Sequence, residues 1–384
     1  RDRESEREGS STSPSPSPST SLSSHLLSLR RFFLLENGDF FVQFMDTAEE
    51  ELRKDAKDVS LSRVQGLLQL AVQTSTLSSD IHRDDLTCSL ASHNLIQHLH
   101  LIQSAGEHEL DGTASTLIPS VALSAQGLKG VEALVLDYKV GWPMSIVLSR
   151  RAITKYQLLS RLLFFSKHVE LRVLSVWQDD QGTKALDVRG EMGGSYFLRH
   201  RMLHVIQNFV YYITYEVIGP KGVQMQTAIA SAQDLDEVME LHEQFLNDCL
   251  KDCLLASQDL LRILTKIMTT CLLFADQMQR FSSASHLQPD PDPSEGDLKH
   301  TTGSKTRRSS VYTRQRVRTD YIRSETSHES YRRMLSRFAE HFDTQLHEFL
   351  DSLWTDSHRH HPQLLNLCSR LDYNGYYSDR MMDL

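Results

Sequence analysis

Apolar residues recur three and four positions apart along most of this 384-residue chain, which predicts an all-α fold made of long helices. Leu158, Leu162, Phe165, Val169 and Val173 form one stripe. Leu203, Ile206, Val210, Ile213 and Val217 form a second, widened by Met202, Val205, Phe209 and Tyr212. A stripe that wide belongs to a helix buried on two sides, as inside a multi-helix bundle. Residues 234–256 and 257–281 predict two more helices, the latter carrying Leu260, Leu264, Ile267, Cys271, Ala275 and Met278. Their short connection predicts antiparallel neighbours. Leu335, Phe338, Phe342, Leu346, Phe349 and Leu353 mark the last long helix, and a short one follows near 362–371. Upstream, Phe40, Val42, Phe44 and Met45 crowd one helical segment, and residues 61–72 form another.

The helical pattern fails in four places. Residues 1–24 are charged and then rich in Ser and Pro, so they predict a disordered tail. Residues 104–120 are small and polar and read as a loop. Pro289, Pro291 and Pro293, followed by Gly, Ser and Lys, make 285–310 a disordered linker. Around 134–148, β-branched and aromatic residues with Pro143 predict a minor β or extended segment, after which Ser149 can cap a helix. The expected plan is a tail over 1–24 and one bundle of long antiparallel helices over 25–384, interrupted at 285–310.

Composition changes this picture little. With 40% apolar and 24% charged residues, the chain reads as an ordinary soluble globular protein. Asp137, Lys139, Gln207 and Asn208 interrupt the longest apolar runs, so none reaches the roughly 18–20 residues of a membrane span. The five cysteines predict reduced thiols in an intracellular protein. The net charge of −9 argues against wholesale nucleic-acid binding, and neither membrane nor nucleic acid is an expected partner.

Charge is unevenly placed. Residues 305–337 carry a net +7, which leaves −16 for the rest. Such a segment is either a solvated face or a site for an anionic partner, and acidic lipid or RNA is the alternative reading. Tyr312, Tyr321 and Tyr331 are too few to argue for base stacking. A smaller cluster, Arg150, Arg151 and Lys155, opens the long helix where the helix dipole disfavours cations. That conflict points to a carboxylate or other anion nearby.

Catalytic chemistry is not found. The chain has no glycine-rich phosphate loop after a strand, no His-Glu-x-x-His and no nucleophile elbow. His242, Cys249 and Cys253 share a helix face without an obvious fourth ligand, and His358–His361 ends at Pro362 in a polar turn. No catalytic residue, cofactor-binding residue or metal ligand is assigned, and the expectation is a protein that is not an enzyme.

Three stretches carry a resemblance. Tyr138–Phe165 combines a Trp142-Pro143 pair, an aliphatic run and a helix opening with a basic residue, Ala152 and Tyr156. Arg199–Pro220 includes Arg201-Met202, Tyr211-Tyr212 and Glu216-Val217. Arg370–Tyr377 reads Arg-Leu-Asp-Tyr-Asn-Gly-Tyr-Tyr. Together they resemble the gamma-tubulin complex protein family, in order and over roughly residues 25–384. Phe32–Leu52 and Cys249–Cys253 resemble one component branch of it in particular.

The resemblance implies a helical scaffold that binds gamma-tubulin and, with other gamma-tubulin complex components, supports microtubule nucleation. It implies a place in the cytoplasm and cytoskeleton, at centrosomes, spindle poles and other microtubule-organising centres. It covers the half of the family that binds gamma-tubulin and not the half that packs laterally, so the chain is expected to bind without building a ring. Carried over residue by residue, the implied contacts are Trp142, Arg150, Arg151, Lys155, Tyr156, Arg370, Asp372, Tyr373, Asn374 and Tyr377. Four positions depart from the family pattern. Gly141 and Gly219 replace charged residues, Ser160 replaces an aromatic, and Gly222 stands where tryptophan is common. Loss of that tryptophan is expected to forfeit packing.

Overall fold

The computed structural model describes residues 22–108, 127–181, 192–286, 329–359 and 362–377. They form a helical bundle with one small sheet. In chain order the elements are α1 (Leu22–Phe33), α2 (Gly38–Leu52), α3 (Leu61–Thr74), β1 (Leu86–Leu90), α4 (Leu95–His108), a single turn α5 (Gly130–Ala133) and β2 (Leu134–Tyr138). Then follow α6 (Arg150–Gln181), α7 (Gly193–Tyr211), a π-helical segment (Tyr212–Ile218), α8 (Gly219–Ser231), α9 (Leu235–Asp252) and α10 (Gln258–His286). Glu329–Arg359 and Leu364–Leu371 complete the fold as α11 and α12.

The centre of the bundle is α6. Its 32 residues contain no glycine or proline, and Ser149 Oγ accepts from the Ala152 amide at 3.3 Å, the predicted cap. It is buried on several faces by Ala152, Ile153, Tyr156, Leu159, Leu163, Val169 and Val173. Helices α1, α7, α9 and α10 pack directly against it, as does β2. Arg172 on α6 gathers Glu49 of α2 (2.8 Å) and Asp276 and Gln279 of α10 (2.7 and 2.8 Å), tying three helices at one end of the post.

Several boundaries differ from expectation. Helix α1 already begins at Leu22, because Leu26, Leu29, Phe32 and Phe33 bury one face of it; residues 1–21 lie outside the described residues. Helices α4 and α10 run on to His108 and His286, and the remainders of the predicted 104–120 loop and 285–310 linker are likewise outside. The short connection between α9 and α10 does not make them close neighbours. Leu254, at φ 66°, turns the chain in a left-handed corner; α9 then lies on α8 and α6, and α10 on α6 and α11.

The extended segment is real but shorter than predicted. Only Leu134–Tyr138 is a strand; it pairs antiparallel with β1, Leu86 opposite Tyr138. Residues after Tyr138 form an irregular turn with a cis Trp142–Pro143 peptide and a 3-10 turn at Met144–Ile146. Helix α1 is pinned to this two-stranded sheet and to the turn that leads into β1. Ser28 donates to Asp80 (2.7 Å), Arg31 pairs with Asp80 (3.0 Å), and His25 shares a hydrogen bond with the Tyr138 hydroxyl (2.7 Å) while stacking on His82.

Gly130 sits where α5 crosses α2. Its amide donates to Lys54 O at 2.9 Å, and a methyl group there would stand 2.8 Å from Val59 and 2.9 Å from the Leu52 carbonyl oxygen. Gly130→Ala is therefore expected to lower stability by about 1–3 kcal/mol. Urea midpoints of the two proteins check this, and equal midpoints would show that the backbone gives way without cost.

Candidate partner-binding surface

The ten expected contact residues fall into two clusters and a remainder engaged within the fold. The first cluster is the turn before α6. In it Trp142 is 84% exposed, and Ile146, four residues on, is half-exposed. Arg150 pairs with Asp137 at the end of β2 (2.7 Å). Lys155 is spent: it bonds Asn247 (2.7 Å) and pairs with Glu243, both on α9. Arg151 comes no nearer than 3.9 Å to the same Glu243 oxygen that Lys155 holds and is 82% exposed, which leaves it the most available cation of the three. The conflict with the helix dipole is thus resolved internally for Arg150 and Lys155 by Asp137 and Glu243. Neither carboxylate was legible as a partner from sequence spacing.

The second cluster lies at the end of the described chain. Gly375, at φ 70°, closes a turn in which its amide donates to Asp372 O (3.2 Å) and the Tyr377 amide donates to Asp372 Oδ1 (2.9 Å). That turn throws Tyr373 outward to 91% exposure and leaves Asn374 exposed. Arg370 lies over the Tyr211 ring, 4.4 Å from its centre, and Nε donates to Glu216 of the π-helical segment. Tyr211 and Tyr215, 4.9 Å apart, are themselves partly exposed. Tyr211 and Glu216 belong to the stretch that carries the resemblance but were not expected as contacts, and Tyr215 was not singled out; tyrosines four apart on one helix were the available signal.

Three of the ten are engaged within the fold. Tyr156 is fully buried between Phe33 and His242, and its hydroxyl shares a hydrogen bond with His242 Nε2 (3.1 Å). Tyr377 is buried, its hydroxyl accepting from Arg201 Nε (3.4 Å). Arg201 is also paired with Asp343 and lies within 5.7 Å of the ring centres of Phe197, Phe342, Tyr376 and Tyr377, clamping the terminal turn to α7 and α11. Asp372 shapes the turn. All three hold the chain's own geometry: Tyr156 in the core, Tyr377 and Asp372 in the turn.

The departures have local explanations. Gly141 stands in open space, so the fold does not require glycine there. Ser160 is buried and donates to Gln157 O (2.9 Å). Gly219 donates to Thr214 O, five residues back, in the widened turn that accommodates Pro220, which has no amide hydrogen to give. A Cβ on Gly219 would stand 3.2 Å from that oxygen. Above Gly222 the guanidinium of Arg30 occupies the space, bonded to Gln226 (2.9 Å) and Glu36 (3.1 Å), so the expected packing loss is offset by Arg30.

The remaining candidates are buried or paired within the fold. Cys249, Cys253 and Cys271 are buried, and desolvation raises all three thiols, Cys249 to about 12. Among the described residues no group of three or more His, Cys, Asp or Glu is placed to hold a metal ion, and no helix is long and apolar enough to cross a membrane. A cavity of about 650 Å³ between α2, α6 and α10 is lined by the Arg172 network, whose charges pair with one another. Of the basic segment 305–337, residues 305–328 lie outside the described residues; Arg332, Arg333 and Arg337 are exposed on the first turns of α11.

A family model described as the gamma tubulin complex component C-terminal domain matches residues 22–377. Gamma-tubulin complex component 2 of Mus musculus is 35% identical over 372 residues, 94% of this chain and 40% of the relative. Gamma-tubulin complex component 2 of Arabidopsis thaliana is 35% identical over 265 residues, 69% of this chain and 37% of the relative. The spindle pole body component alp4 of Schizosaccharomyces pombe is 32% identical over 305 residues, covering 70% and 39% respectively. The chain spans about two fifths of the length of the curated relatives it matches.

Proposed function

Since the chain belongs to the gamma-tubulin complex component family, we propose that it binds one gamma-tubulin molecule as a rigid helical scaffold and supports microtubule nucleation alongside other components of that complex. Its place is the cytoplasm and cytoskeleton, at centrosomes, spindle poles and other microtubule-organising centres. Its task is binding and positioning, with no reaction catalysed by the chain itself. The family match from residue 22 to residue 377 carries this reading. The exposed surface supports it: two aromatic–arginine clusters stand on a bundle whose own charges are largely paired, and aromatic and arginine side chains are the usual anchors of protein interfaces.

The purified chain is expected to co-sediment with gamma-tubulin at 1:1, and no association at low ionic strength would overturn the reading. Within it, the surface separates anchors from supports. Trp142→Ala is expected to weaken gamma-tubulin binding by about tenfold or more while melting like the parent, since the ring is 84% exposed. Arg151→Glu is expected to weaken it severalfold, most at low salt. Lys155→Glu should instead lower stability, because it sets a carboxylate against Glu243. Affinity and melting curves measured on the same samples distinguish these outcomes.

A further inference from the structure

Between the π-helical segment and α12 runs an open groove whose walls include Asn208, Tyr215, Glu216, Ser369, Arg370 and Tyr373. Arg370 is held there in an unusual way. Its guanidinium carbon sits over the Tyr211 ring and Nε donates to Glu216, so a cation–π contact and a charge-assisted hydrogen bond hold the group from two sides. Nη1 and Nη2 keep their hydrogens, and no hydrogen-bond acceptor among the described residues takes them. The side chain remains 38% exposed. An arginine held by two contacts, with the bidentate edge unused, is preorganised for a planar acceptor.

The other groups of the groove sharpen the choice of acceptor. Glu216 offsets much of the Arg370 charge, so attraction over long range is weak and recognition rests on directed hydrogen bonds. The Oε2 atom of Glu216 is buried, and the accessible donors are the guanidinium edge and the hydroxyls of Ser369, Tyr215 and Tyr373; of the two lining amides, Asn366 is exposed and Asn208 gives its Nδ2 to His204 O. Tyr215 and Tyr373, 65% and 91% exposed, add flat apolar walls. A phosphate backbone would need several unpaired cations, and the groove supplies one that is already partnered.

We infer that this groove is a docking notch for a single carboxylate side chain, an aspartate or glutamate displayed on the partner protein, received by Nη1 and Nη2 of Arg370 between Tyr215 and Tyr373. The inference rests on gamma-tubulin being the partner and names the chemistry of one contact on it. Tyr211 and Glu216 are positioning residues for that contact.

Two arms test it. In the first, gamma-tubulin affinity is measured for the parent, Arg370→Ala, Arg370→Lys and Arg337→Ala, with melting curves to confirm folding. Arg370→Ala is expected to lose about tenfold, and Arg370→Lys nearly as much, because a lysine keeps the charge but neither the fork nor the stack. Arg337→Ala, on α11, should bind like the parent. A parent that binds while Arg370→Lys binds equally well overturns the notch and leaves the function standing; a parent that does not bind overturns the function. The second arm uses labelled hexaglutamate and a labelled uridine hexanucleotide at millimolar concentration, without gamma-tubulin. Hexaglutamate retained by the parent and lost in Arg370→Lys supports the notch. Equal retention by both proteins, no retention at all, or Arg370-dependent retention of the nucleotide overturns it.

Discussion

Tyr156→Ala is expected to cost about 3–5 kcal/mol of stability and to leave gamma-tubulin binding per folded molecule unchanged. The ring is completely enclosed, packed edge-on to Phe33 and face-on to His242, so its removal opens a cavity beside the central helix. It also strips His242 Nε2 of its bonding partner. Tyr156→Phe separates the two contributions: it keeps the ring, loses one buried hydrogen bond and should cost only about 1–2 kcal/mol. Urea denaturation gives the stabilities, and affinity corrected for the folded fraction gives the binding. If Tyr156→Phe melted like the parent yet lost its partner, the residue would belong to the interface after all.

Acid should unfold the protein through the other half of that pair. His242 is 1% exposed, and desolvation pushes its pKa down to about 4, only partly countered by Glu243. His25, buried against His82, is lowered in the same direction. The unfolded imidazoles take up protons near pH 6.5, before the folded ones do, so stability is complete above about pH 7. It is lost as pH falls from 6.5 toward 4, by roughly 2–3 kcal/mol for His242. Carboxylates titrate in the lower part of this window as well, so the telling quantity is a difference in slope. His242→Gln should show a visibly flatter decline of the urea midpoint between pH 7 and 4.5 than the parent. Parallel declines would mean that the imidazole is not the group being titrated.

Much of the bundle was legible in the sequence because a helix buried on two sides repeats its apolar residues whatever it packs against. The stripes of α6, α7, α10 and α11 fall where the periodicity places them. Strand β1 escaped although Leu86, Cys88 and Leu90 alternate with Thr87 and Ser89, because five residues beside polar turns carry little signal. The π-helical segment left only Pro220 as a trace, and a proline in a helical run ordinarily reads as a kink. The candidate surface was half legible. Residue type picked out aromatics and arginines, but burial is a tertiary property: Trp142 and Tyr156 look alike in the sequence and stand at 84% and 0% exposure. Lys155 could not be known as a spent cation, since its partners Glu243 and Asn247 lie 88 and 92 positions away.

The placing of α9 and α10 on a common post, with little contact between them, has a mechanical consequence. A tug on the Trp142 tip enters α6 at its first turn and is shared out to every helix touching that spine before any pair of outer helices has to slide. The tip and the Arg172 crossbrace lie toward opposite ends of that spine, so a partner gripping one end is expected to tilt the whole body instead of flexing a finger.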